Sequence, residues 1–230
     1  MMMKTMRSLI LGVAAAAMLA CPARAAFVTV DDFSEIILWA GTGVNEAGFV
    51  LQFTDGEAPT SIAWGYRWDG SATAEEMIFA IAGSITGAAP APPAGLDSRL
   101  AIDVSEFAPF GFFVNTITYN QSGLPSEWFQ GTRQIVDDFV NTGTYPAFYL
   151  ASAAGGVWSG ATMNLDLSGA GMSDTVLADG GWYGFVQSDG TDPFAFTQPV
   201  SAVPEPGTWA LAAGAAVAGL VIWRRARGTR

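Results

Sequence analysis

Residues 209–223 of this 230-residue chain, from Trp209 to Trp223, are apolar throughout and carry no charge. Val203-Pro204-Glu205-Pro206-Gly207-Thr208 precede them, and Arg224, Arg225, Arg227 and Arg230 follow. This order limits how far a globular fold can extend. Pro204 and Pro206 cannot carry a helix through from upstream, whereas Pro206 suits the start of one, where its missing N–H is not needed. A helix apolar all round, with a Trp at each end and arginines beyond, reads as a membrane span with interfacial rings and a cytoplasmic cationic flank. At ~1.5 Å per residue it covers about 22 Å, less than the ~20 residues of an ordinary span provide. Such a helix thins the bilayer or leans on its flanking Trp and Arg, which a transient sorting segment tolerates better than a permanent anchor.

The Val-Pro-Glu-Pro element, the short span and the arginine cluster together resemble the PEP-CTERM sorting signal of Gram-negative bacteria. The resemblance covers residues 203–230. It implies that an inner-membrane exosortase recognises the tail and processes it near Pro204, Glu205 and Pro206, with Arg224, Arg225 and Arg227 as the basic element. It further implies an inner-membrane-anchored precursor, a final place at the cell surface or outside it, and a link to exopolysaccharide or biofilm matrix.

The other end agrees. Lys4 and Arg7 form a positive n-region and Ser8 to Ala20 an alanine-rich apolar stretch. Ala23-Arg24-Ala25 then offers an A-x-A cleavage site before Ala26. Residues 1–25 therefore read as a signal peptide for the Sec translocon and signal peptidase. A lipoprotein with Cys21 as the modified residue is the competing reading, but Met18-Leu19-Ala20 fits a lipobox poorly because Leu19 lies one place too close to the cysteine.

Between the signals, residues 26–202 are long enough for one domain with a sizeable core. Only Arg67, Arg99 and Arg133 oppose twenty acidic residues there, a net charge of −17. Such a surface repels nucleic acid and anionic membrane, and neither is an expected partner. The whole chain has no His, and its single Lys (Lys4) and single Cys (Cys21) lie in the signal peptide. A Ser-His-Asp triad, a Cys-His pair, a His/Cys zinc site and a lysine Schiff base are thereby excluded from the mature domain. Carboxylates, tyrosines, hydroxyls and three arginines remain, which leaves glycoside hydrolysis by an Asp/Glu pair and calcium binding by oxygen ligands open.

Short runs of β-branched and aromatic residues, broken by Gly, Asn, Asp and Pro, predict strands near 27–30, 36–39, 48–53, 61–68, 100–104, 111–119, 147–150, 162–167 and 182–186. Residues 135–140 fit either a strand or a short helix. Thr73-Ala74-Glu75-Glu76 predicts a capping box and a helix over 74–82 that Gly83 ends, which gives Glu75 and Glu76 a structural role. Residues 87–95 read as a loop or short linker within one domain. The fold class expected is α+β, mainly β. It is a single antiparallel-sheet-rich domain with one short helix, plus an N-terminal signal helix and a C-terminal transmembrane helix over 209–223.

Alternation along Ser61 to Gly70 places Ile62, Trp64, Tyr66 and Trp68 on one face and Arg67 on the other. Such a face serves as sheet core or as a sugar-stacking platform, with core the default because aromatics dominate core burial. The string Trp64-Gly65-Tyr66-Arg67-Trp68-Asp69-Gly70 resembles a motif of uncharacterised exported bacterial proteins. There it follows a segment like Trp39 to Gly48 and precedes an Asp97-x-Arg99-Leu100 stretch and a Leu177 to Trp182 segment. Candidate ligand-binding residues are Trp64, Tyr66, Arg67, Trp68, Arg99 and Trp182. Arg67 and Arg99 either pair with acids such as Asp69 and Asp97 or anchor an anionic ligand. Asp189 and Asp192 are the best local calcium candidates, although an Asp/Gly turn explains them equally well. No cofactor is required. The reading is a non-enzymatic surface or matrix component, with an extracellular carbohydrate-active hydrolase and a calcium- or small-ligand-binding module as rivals.

Overall fold

The computed structural model describes residues 27–203 except 109–110, 125–127 and 153. The expected signal helix, the cleavage residues Ala23 and Ala25, and the tail from Pro204 to Arg230, where a helix over 209–223 is expected, lie outside the described residues. Among the described residues, no helix is long and apolar enough to cross a membrane.

The domain is mainly β, with one short helix, as its alternating runs predict. Its strands are β1 (Trp39–Gly41), β2 (Asn45–Gln52), β3 (Ser61–Trp68), β4 (Ala82–Thr86), β5 (Asp97–Glu106) and β6 (Phe112–Asn120). They continue with β7 (Thr132–Val136), β8 (Tyr145–Ala151), β9 (Thr162–Leu167), β10 (Gly181–Ser188), β11 (Phe194–Thr197) and β12 (Val200–Ser201). Helix α1 (Ala74–Ile81) joins β3 to β4, and a single turn, α2 (Phe139–Thr142), follows β7. One sheet runs β1-β3-β2-β10-β8-β9-β11, with β12 also on β3; the other runs β4-β5-β6-β7.

The pairing is mixed. Hairpin neighbours such as β2 and β3 or β5 and β6 are antiparallel, while β1/β3, β2/β10, β3/β12 and β4/β5 are parallel. A parallel pair needs a crossover rather than a tight turn. Between β4 and β5 the crossover is the proline-rich stretch 87–96, so this segment links two paired strands rather than two domains.

The first sheet is buried on both faces, which explains the nearly unbroken burial along β2 and β10. On one face Ile62, Trp64 and Trp68 join Met77, Ile78 and Ile81 of α1 and Leu100, Ile102 and Ile117 of the second sheet. On the other, Val50, Ala63 and Trp182 pack with Phe33, Trp158 and Phe196. Two strand glycines make room for neighbouring indoles. Gly65 pairs with Trp39 and Gly48 with Trp182, and a Cβ at either glycine would stand 2.3 Å from the indole.

Several local expectations change. Residues 27–30 form no strand; an isolated bridge joins Thr29 to Val200. Over 36–39 the strand begins only at Trp39, because Asp32 and Glu35 form a capping box that folds Phe33–Glu35 into a 3-10 turn. Helix α1 has the expected capping box, Thr73 accepting from the Glu76 N–H and Glu76 from the Thr73 N–H. Gly83 does not end it. Ala82 is already extended and starts β4 directly. Residues 135–140 divide, with β7 ending at Val136 and α2 starting at Phe139. Strands β4, β11 and β12 escaped the sequence pattern.

Candidate functional site

A cavity of about 790 Å³ opens where β1, the end of β3, the first turns of α1 and the 92–96 loop meet. Trp39, Tyr66, Trp68, Phe79, Pro92, Pro93 and Leu96 supply its apolar lining, and Asp69, Glu75 and Glu76 its carboxylates. Among the described residues, no Lys or Arg lines it. Tyr66 and Trp68 project from the same face of β3, as the alternation predicts. Their rings stack at 5.8 Å with an interplanar angle of 11°. Trp68 is buried beneath, whereas Tyr66, Trp39 and Phe79 are half-buried and Leu96 is exposed.

Two of the three carboxylates have structural partners. Glu76 caps α1, and an Asp69 carboxylate oxygen accepts the Val44 N–H at 3.2 Å, fixing the loop between β1 and β2. Burial and the nearby Glu76 carboxylate push the Tyr66 hydroxyl above the ordinary tyrosine range. It therefore stays protonated near neutrality and offers a hydrogen-bond donor beside acceptor carboxylates.

The other candidates lie elsewhere. Trp64 is fully buried, and its indole N–H donates to Asp97 at 3.0 Å. Asp97 also takes two bonds from the Arg99 guanidinium, Nε at 2.8 Å and Nη2 at 2.9 Å, one from the Arg99 backbone N–H at 3.2 Å, and one from the Tyr119 hydroxyl at 3.4 Å. The expected Asp97–Arg99 pairing is thus present, as a buried hub between the two sheets. Arg67, on the face of β3 opposite Tyr66 and Trp68, pairs at 2.8 Å with Glu46, its cross-strand neighbour on β2, rather than with Asp69, which lies in the turn after β3 and accepts the Val44 N–H. There its guanidinium lies 4.2 Å from the Trp39 ring centroid. Trp182 is buried in the second core and lines no part of the cavity.

At the loop after β10, Asp189 Oδ1 accepts from both the N–H and the hydroxyl of Thr191. These bonds, hydroxyl first, hold the Asp189 carboxyl below the usual range. Asp192 Oδ1 accepts the Leu167 N–H at 2.8 Å. Both acids thereby organise a turn, and among the described residues no group of three or more acidic, His or Cys side chains is placed to hold a metal ion. Reading the sequence missed Trp39, Phe79, Pro92, Pro93 and Leu96 as cavity residues. The only signal for three of them was a proline-rich stretch, which looks the same in a linker and in a crossover.

Residues 202–226 match the PEP-CTERM protein-sorting motif. No curated protein and no solved structure matches the chain. The motif defines the class: an exported protein whose precursor is anchored in the membrane and processed by an exosortase. The chain carries this sorting motif at its C-terminal end, and the motif gives an address without an activity.

Proposed function

We propose that the processed domain is a non-enzymatic component of the cell surface or extracellular matrix that contacts exopolysaccharide through the cavity beside α1. Residues 1–25 direct it to the Sec translocon and signal peptidase, and the tail to the exosortase. The observation that carries the reading is the cavity lining. Half-buried Tyr66 and Phe79 present ring surface on which a sugar ring can lie, with carboxylates and a protonated phenol at hand for its hydroxyls. Its size falls within the ~300–1,000 Å³ of ligand clefts. The capping and loop-fixing bonds of Glu76 and Asp69 give two of its carboxylates structural rather than catalytic work.

The missing cations and the surplus of acids favour uncharged sugars, because a uronic-acid polymer would meet like charge. Calorimetric titration of the processed domain with neutral and uronic-acid oligosaccharides tests this. Binding is expected for neutral chains only, and Tyr66→Ala and Phe79→Ala should each weaken it about tenfold, equivalent to ~1.4 kcal/mol. Equal affinity of both variants and the wild type would remove the cavity from the account.

A further inference from the structure

The sorting motif starts inside the fold. Its match begins at Ala202, which is 0% exposed, and Val203 is 7% exposed. Both belong to the core between the sheets. Strand β12 runs parallel to β3, Val200 beside Ile62 and Ser201 beside Ala63. The Ser201 N–H donates to the Val28 carbonyl and the Ala202 N–H to the Ala63 carbonyl, each at 2.8 Å. One residue further, the Val203 carbonyl accepts from Nη2 of Arg99. Ala202 is thus tied to the first sheet and Val203, through Arg99, to the second. Arg99 is itself held by the buried Asp97, whose other partners are Trp64 and Tyr119.

Only residues 204–208 separate this clamp from the apolar run at Trp209. At no more than ~3.3–3.6 Å per residue, they let the domain stand about 20 Å at most from the start of the span. A domain of this length has a radius of gyration of ~16 Å, so the folded body crowds the whole processing segment. An enzyme that cleaves a peptide lays several residues on each side of the scissile bond along its cleft. Near Pro204 to Pro206, the upstream residues of that stretch are the ones the fold holds.

We propose that the Asp97–Arg99 pair is a positioning element for exosortase processing: by holding the Val203 carbonyl it keeps the upstream side of the motif docked in the domain, and processing waits on release of residues 200–203. Arg99 touches no reacting atom; it acts through the chain end that it holds. The inference rests on sorting by an exosortase and is independent of glycan binding.

Pulse-chase conversion of the full-length precursor, in cells that contain the exosortase, tests it. Four forms are compared with wild type: Arg99→Gln, a flexible ten-residue Gly/Ser insertion between Val203 and Pro204, both changes together, and Arg133→Gln. The last breaks another buried arginine's bonds, to Asp55 and Pro59, and serves as a control for general destabilisation. The insertion leaves the clamp and the fold intact, so it keeps the test decisive even where Arg99→Gln folds poorly. The expected result is that the insertion and Arg99→Gln each shorten the precursor half-life at least threefold. The combined form should be no faster than the insertion alone, and Arg133→Gln should match wild type. An unchanged or longer half-life with the insertion would overturn the proposal, as would equal acceleration by Arg133→Gln and Arg99→Gln. Failure of every form to be converted would contradict sorting itself.

Discussion

Asp97→Ala should cost the domain about 3–5 kcal/mol, a large share of the ~5–15 kcal/mol available to a folded domain. The Asp97 side chain is 1% exposed and that of Arg99 8%, so the substitution would leave a guanidinium with its countercharge gone and little water to replace it. It would also strip an acceptor from the buried Trp64 indole and from the Tyr119 hydroxyl. The expected readout is a drop in urea midpoint with an unchanged slope. Glu46→Ala provides the contrast. Its pairing with Arg67 lies between side chains 42% and 36% exposed, where a surface ion pair contributes at most about 1 kcal/mol. Similar losses in the two variants would mean that Asp97 is not the hub described.

Trp182→Ala should be as damaging, at about 3–5 kcal/mol. The indole sits 5.1 Å from the Phe33 ring and 5.1 Å from that of Trp158, and it covers Gly48 on the paired strand. Because a Cβ at Gly48 would meet the same indole, Gly48→Ala should be destabilising alone and much less so in the Trp182→Ala background. Urea unfolding of the two single variants and the double variant measures that coupling. A loss below about 1 kcal/mol for Trp182→Ala, with oligosaccharide binding abolished, would return Trp182 to the ligand site.

The string Trp64 to Gly70 shows what a sequence reveals and what it hides. Its alternation tells which residues share a face, and the structure places Ile62, Trp64, Tyr66 and Trp68 together on the helix-facing side. Alternation does not tell how deep each residue lies. Trp64 is sealed between the sheets and Tyr66 stands at the cavity edge, a difference set by the second sheet and α1. Helix α1 was legible to its first residue because a capping box is a local device, complete within Thr73 to Glu76. Its end was not, because Ala82 is drawn directly into β4 by pairing with Asp97, fifteen positions away.

The cavity was the least legible feature. It joins β1, β3, α1 and the 92–96 loop, and of its apolar lining the strand alternation marks only Tyr66 and Trp68. Parallel pairing hid in the same way. β2 finds β10 more than a hundred residues later, and nothing local in either strand marks the partner. The lower boundary of the sorting tail also moved inward. Pro204 is a visible helix breaker, but the burial of Ala202 and Val203 depends on Ala63 and Arg99, far away in sequence.

On the proposed function, the tail delivers an acidic sugar-binding domain to the extracellular polysaccharide. Fractionation of cells that make the full-length chain, with antibody detection of residues 27–203, tests it most directly. The expected result is a shortened protein in the surface and matrix fractions that requires the exosortase and is lost to the medium when polysaccharide synthesis is blocked. A full-length protein kept in the inner membrane, or a soluble periplasmic domain indifferent to polysaccharide, would contradict it.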